Sequence, residues 1–269
     1  MALRSPLINV MAGAAKKAAR GLLRDFGEVE QLQVSLKGPS DFVSAADRRA
    51  EEVIRAELTK ARPTFGFLME EQGVVVGTDT SNRWLVDPLD GTTNFLHGIP
   101  QFAISIALER DSKPFAGVIY DPIRDEMFWA EQGQGAYLNE KRIRVANRRR
   151  LEDTVVVTGI PHRGRAGKEG YLPQLAAMME LTSGIRRFGS AALDLAWVAA
   201  GRFDGYWEGG LKPWDLAAGV VLVLEAGGTV SEVNGGQGML HSGSILATNP
   251  VLHPLMCEAL VNAGSRSAL

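Results

Sequence analysis

The sequence predicts an α/β protein, with an α+β N-terminal half and an α/β C-terminal half. Three observations carry that expectation. The chain opens with two long stretches of helical periodicity. Short apolar, β-branched runs follow, split by turn residues. From residue 147 onward, strand-like and helix-like segments alternate.

Over residues 7–26, Leu7, Met11, Ala14, Ala18, Leu22 and Phe26 recur at three- and four-residue spacing, one face of a helix. A second helix is expected from Ser44, with Ala50, Val53, Ile54, Leu58 and Ala61 inward. Strands are expected at 65–68, 83–86, 102–108, 116–120 and 126–130, with a hairpin around Asn139 and Glu140. These make a mostly antiparallel sheet. A boundary is expected at the basic stretch 147–150, dividing the chain into 1–146 and 147–269. Beyond it, strands are expected at 154–158, 184–188, 203–207, 229–233 and 244–248. Helices are expected at 171–181, 190–200 and 214–226, the last closed by Gly227 and Gly228. A terminal helix spans about 250–263, and Pro254 is a candidate for its first residue. That alternation suggests α/β layering.

Composition narrows the function classes. A formal net charge of -2 gives no overall pull toward nucleic acid or an anionic membrane. The basic run 147–150 reads as a solvated linker. No apolar run approaches the ~18 residues that span a bilayer. With Cys257 as the only cysteine, no intrachain disulfide can form, and a reducing, cytoplasmic setting is expected. Cys257 itself reads as a small core residue. His97, His162, His241 and His253 show no zinc-ligand spacing. Gly133 and Gly135 lack the third glycine of a dinucleotide fingerprint, and no P-loop is present.

The chemistry concentrates in WLVDPLDGTTNF, residues 84–95. Asp87 closes an apolar run, and Pro88 fixes a rigid turn before Asp90. Two carboxylates ~4 Å apart repel by about 4 kcal/mol at an effective dielectric of ~20. Either one protonates or a cation sits between them. Oxygen-only ligands suit Mg²⁺ or Mn²⁺. Gly91 and Thr92 look like a helix start, whose N–H groups favour phosphate. Together these point to metal-assisted phosphate hydrolysis, although turn and capping preferences also explain the same residues. Three further acids stand at suggestive places: Glu70 beside Glu71 past a strand, Asp215 at a helix start, and Asp47 in DFVSAAD. Each has an ordinary reading too: a solvated loop, a dipole-favoured aspartate, and a capping box with Ser44.

Taken together, these segments resemble the inositol monophosphatase family, most closely its bacterial branch. WLVDPLDGTTNF is similar to the family's first signature and KPWDLAAGVVLVLEAGG to its second. DFVSAAD, MEEQG and RRFGSAALDLAWVAAGRFDGYWEGG fall in the family's order around and between them, so the resemblance covers nearly the whole chain. It implies a layered α-β-α-β-α sandwich of the inositol monophosphatase/fructose bisphosphatase type.

The resemblance also implies roles. Glu70, Asp87, Asp90, Asp215 and the Leu89 carbonyl would bind magnesium, with Asp87 bridging two sites. Asp47, Thr92 and Glu70 form the implied catalytic set, the first two orienting the attacking water. Gly91 and Thr92 would hold phosphate, while Gly189, Ser190, Ala191 and Glu208 would meet polyol hydroxyls. The ligands Glu70, Leu89, Asp90 and Asp215 line the same substrate site. Met69 departs from the Gly or Thr that many members carry before the paired glutamates. The implied activity is magnesium-dependent hydrolysis of an inositol monophosphate by a cytoplasmic homodimer, with no nucleic acid or membrane partner.

Other readings stay open. Related folds cleave fructose 1,6-bisphosphate, histidinol phosphate or phosphoadenosine phosphate. An aspartyl-phosphate mechanism uses D-x-D-G-T, but two residues separate Asp87 from Asp90. A dimeric binding partner with a relict site is the non-enzyme alternative.

Overall fold

The computed structural model describes residues 4–28, 34–36, 42–161 and 170–265. The chain opens with α1 (Pro6–Phe26), capped by the Ser5 hydroxyl, which accepts from the Ile8 N–H at 3.2 Å. Pro6 enters the first turn, where a missing N–H costs nothing. The short β1 (Val34–Leu36) and β2 (Phe42–Ser44) pair antiparallel ahead of α2 (Ala45–Ala61). Next come β3 (Phe65–Met69), β4 (Gly73–Val75), β5 (Asp79–Asp90), the single turn α3 (Thr92–Leu96), β6 (Ala103–Arg110), β7 (Lys113–Asp121), β8 (Glu126–Glu131), β9 (Gly135–Leu138) and β10 (Lys141–Arg142). The remainder alternates: β11 (Val155–Thr158), α4 (Tyr171–Leu181), β12 (Gly184–Arg186), α5 (Ala191–Ala199), β13 (Gly205–Glu208), α6 (Pro213–Glu225), β14 (Thr229–Ser231), α7 (Met239–Ser242), β15 (Ile245–Thr248) and α8 (Leu252–Ser265).

Two larger sheets result. One has eight strands in the order β10-β9-β8-β7-β6-β5-β3-β4, and the other five in the order β12-β11-β13-β15-β14. Helices α1 and α2 cover one face of the large sheet, and α5 and α6 cover the other. The small sheet lies beyond α5 and α6, and α4 and α8 close its far side. This is the expected α-β-α-β-α layering. Three apolar clusters fill the spaces between layers. The central approach is tight: a Cβ on Gly117 of β7 would lie 2.7 Å from Ala218 Cα of α6. Glycine there lets the helix backbone seat directly on the sheet.

Several expectations change in detail. The strand through Asp87 does not stop there; it runs on to Asp90 through a break in register. The terminal helix starts at Leu252 rather than Pro254, because Asn249 Oδ1 accepts from the Val251 and Leu252 N–H groups, each at 2.9 Å. Pro254 then falls in the first turn, where it is tolerated. The run 147–150 is not simply solvated, since Arg148 pairs with the buried Asp204 at 2.9 Å. Cys257 is partly buried on α8, its Sγ 3.4 Å from the Val233 carbonyl. The Ser44 hydroxyl, Asp41 and His162 lie outside what is described. Among the described residues, no helix is long and apolar enough to cross a membrane.

Candidate active site

Strand pairing brings Glu70 to Asp87. β3 and β5 are the one parallel pair in the large sheet, with Met69 opposite Val86. Parallel strands end on the same side, so the next residues, Glu70 and Asp87, emerge together. The Glu70 N–H donates to the Val86 carbonyl at 3.2 Å. Ligands gather at such carboxyl ends in open α/β sheets.

A bulge brings Asp90 beside Asp87. In a regular strand, residues three apart point to opposite faces. Here Asp87 pairs with Ser105 and Asp90 with Ala103, so three steps on β5 match two on β6. The extra residue restores both aspartates to one face. Pro88 has no N–H to lose from the ladder, which suits it to the bulge. The Leu89 N–H donates to Asp87 Oδ1 at 2.9 Å and locks the turn.

That face looks toward α6. The Ser105 hydroxyl donates to the Trp214 carbonyl at 3.1 Å, setting Asp215 over the same strands. Asp215 Oδ2 accepts from the Lys212 N–H at 2.8 Å, so the helix-start reading of Asp215 holds alongside its place in the cluster. Asp90 is fixed by the start of α5. Its Oδ2 accepts from the Ser190 hydroxyl at 2.6 Å and the Ala192 N–H at 2.7 Å. A carboxylate at a helix N-terminus gains from the dipole and the unpaired amides. Ser190 also caps α5, its Oγ accepting from the Leu193 N–H at 3.4 Å. Its side chain thus faces Asp90.

Asp87 is buried at the centre. Burial, then the charges of Glu70, Asp90, Asp215 and Asp47, push its carboxyl well above the usual carboxylate range. Glu70, Asp90, Asp215 and Asp47 are thus all close enough to act on Asp87. Among the described residues, no three His, Cys, Asp or Glu side chains are grouped so that they could hold a metal ion. The donor chemistry nonetheless fits a hard divalent cation: the groups around Asp87 are carboxylates, with the Leu89 carbonyl in the same turn.

Beside the acids, Gly91 has φ of 97°, and a Cβ there would sit 2.9 Å from the Gln101 carbonyl oxygen. Only glycine suits that turn. The Thr92 hydroxyl lies 2.9 Å from the Leu89 carbonyl oxygen and 3.4 Å from Asp47 Oδ2. One proton serves one of them at a time, and the shorter contact is to Leu89. Asp47 is buried in the first turn of α2. Gly189 has φ of 81° just before α5, Ala191 opens that helix, and Glu208 ends β13. The buried Asp194 lies within the influence of both Glu208 and Asp90.

Sequence reasoning missed several contributors. Glu51, fully buried on α2, accepts from the Glu71 and Gln72 N–H groups at 2.8 and 2.9 Å and shapes the loop carrying Glu70. Its signal was an acid one turn after Asp47 on an otherwise apolar stripe. Asn94 Nδ2 donates to the Gln101 and Phe188 carbonyls, each at 2.8 Å, and ties α3 to the loop before α5. Asp194 and Tyr206 are both buried, and the Tyr206 hydroxyl donates to Glu208 Oε2 at 2.7 Å.

The layering and the acid cluster at the strand ends define the fold class shared by inositol monophosphatases and fructose bisphosphatases. The chain belongs to the inositol monophosphatase family, whose model matches residues 3–265. It is 60% identical over 257 residues to a Mesorhizobium japonicum protein named inositol-1-monophosphatase, covering 96% of this chain and 97% of that one. It is 43% identical over 245 residues to the Escherichia coli protein named Nus factor SuhB, covering 91% and 92%. A crystal structure of Bartonella henselae extragenic suppressor protein suhB superposes with a TM-score of 0.93 at 57% identity, covering 95% and 98%.

Proposed function

We propose that this chain is a magnesium-dependent phosphatase that hydrolyses inositol monophosphate with water as nucleophile. The observation that carries this reading is the buried Asp87, whose carboxyl feels the charges of Glu70, Asp90, Asp215 and Asp47, next to the Gly91 turn. Glu70, Asp87, Asp90, Asp215 and the Leu89 carbonyl are the groups that would hold the cation. Bound magnesium would supply an acidified water and offset charge on the leaving alkoxide. The protein's own part is positioning. The Gly91 and Thr92 amides hold the phosphate, and the Thr92 hydroxyl and Asp47 orient the water. The start of α5 keeps Asp90 in place, and Glu208 accepts from polyol hydroxyls. Residues 1–146 bring most of the acids, and 147–269 complete the site with Asp215 and Glu208.

Phosphate release from inositol 1-phosphate with saturating magnesium tests the reading. Release is expected from the wild type and not from Asp90→Asn. No wild-type release would overturn it and favour the binding-protein alternative. The same reading includes a cytoplasmic homodimer. The exposed Leu172 and Met179, seven residues apart on one face of α4, offer apolar surface for a second copy. Sedimentation of the purified chain measures that directly.

A further inference from the structure

β13 runs Gly205–Glu208, so Tyr206 and Glu208 stand two residues apart on one face of the small sheet. Tyr206 is fully buried, and its hydroxyl donates to Glu208 Oε2 at 2.7 Å. The other side of the carboxylate meets the backbone of Gly159, where a Cβ would fall 1.9 Å from the Glu208 carboxyl carbon. Any other residue at 159 would displace the acid. The strand beneath is pinned as well, because the Thr158 hydroxyl donates to the Trp207 carbonyl at 2.8 Å. Burial, then the charge of Glu208, pushes the Tyr206 hydroxyl well above its ordinary range, so it keeps its proton and remains a donor.

The phenol's hydrogen bond goes to Glu208 and not to the acids around Asp87. A glutamate has three rotatable bonds, and an unrestrained one meets a polyol in many orientations. The buried phenol and the bare glycine remove that freedom before substrate arrives.

We propose that Tyr206 is a positioning residue for substrate selection, aiming the Glu208 carboxylate at the leaving group's hydroxyls across the floor that Gly159 leaves open. This rests on the reading of Glu208 as the polyol contact. Tyr206 then governs affinity for the alcohol part of a phosphate monoester and not for its phosphate.

The test compares two constants on the magnesium-loaded chain: KM for inositol 1-phosphate and Ki for inorganic phosphate, which carries no polyol. Tyr206→Phe is expected to raise the ratio of KM to Ki roughly tenfold, the scale of one hydrogen bond to a charged group. A merely structural role would move both constants together and leave the ratio where it was, which would overturn the proposal. So would no change in either. Gly159→Ala is the second variant, read the same way if Tyr206→Phe fails to fold. It moves the carboxylate without touching the phenol and is expected to shift the ratio in the same direction. An unchanged ratio in that variant also counts against the proposal. In the double variant with Glu208→Ala, the Tyr206 change is expected to add nothing further. A wild type that releases no phosphate sinks the function reading instead, which separates the two failures.

Discussion

Ser190→Ala removes one hydroxyl that has two jobs. It caps α5 through the Leu193 N–H and donates to Asp90 Oδ2 at 2.6 Å. Loss of a serine cap costs ~1 kcal/mol. Loss of a hydrogen bond to a charged group costs ~1.5–3 kcal/mol, but Asp90 keeps the Ala192 N–H at 2.7 Å, so the low end applies. A total of ~2.5 kcal/mol corresponds to a fall in Tm of about 5–10 °C for a chain this long. The second consequence concerns the cation. Outer partners of metal ligands typically matter by about 10–100-fold in metal affinity. Scanning calorimetry on the metal-free protein reads the first effect, and a magnesium titration reads the second. Ser190→Thr, which keeps the hydroxyl, is expected to restore most of both. A lowered Tm with unchanged magnesium affinity would refute the idea that Ser190 orients Asp90 and leave it only a helix cap.

Other expectations follow from the same contacts. Asp194 is buried with neither carboxylate oxygen hydrogen-bonded, and burial, then Glu208 and Asp90, raises its carboxyl well above the usual range. A raised carboxyl gives no penalty below the unfolded pKa of about 3.9 and an increasing one as pH climbs toward the folded value. Asp194→Asn is therefore expected to gain stability over the wild type increasingly from pH 4 to pH 8. An equal gain at both ends, read as Tm against pH on metal-free protein, would contradict it. Glu51→Gln keeps the shape but loses an acceptor for the Glu71 or Gln72 N–H. It should cost about 1–3 kcal/mol in urea unfolding and weaken magnesium binding through Glu70; unaltered binding would make Glu51 a purely structural cap.

Helices were the legible part of the sequence. The α1 stripe places Met11, Ala14, Ala18 and Leu22 inward, and all are buried. About five turns of period are hard to mistake. The one-turn helices α3 and α7 and the three-residue strand β4 offer no period to read. Site residues were visible as acids at element ends, but the forces joining them were not. Alternation of side chains cannot reveal that β3 runs parallel to β5, which sets Glu70 beside Asp87. Nor does a D-P-L-D run state that its middle is a bulge, which turns Asp90 onto the face of Asp87. Asp90 also owes its setting to Ser190 and Ala192, about a hundred residues later. Glu51 left one trace, an acid on an otherwise apolar stripe, but the amides it holds lie about twenty residues later in the chain.

Magnesium binding by isothermal titration, on the wild type and on Asp87→Asn, bears most directly on whether the bulge and the parallel pair build a cation site. Saturable binding by the wild type, weakened at least ~100-fold in the variant, is the expected result. A variant that binds magnesium as tightly as the wild type, or a wild type that binds none, would contradict it.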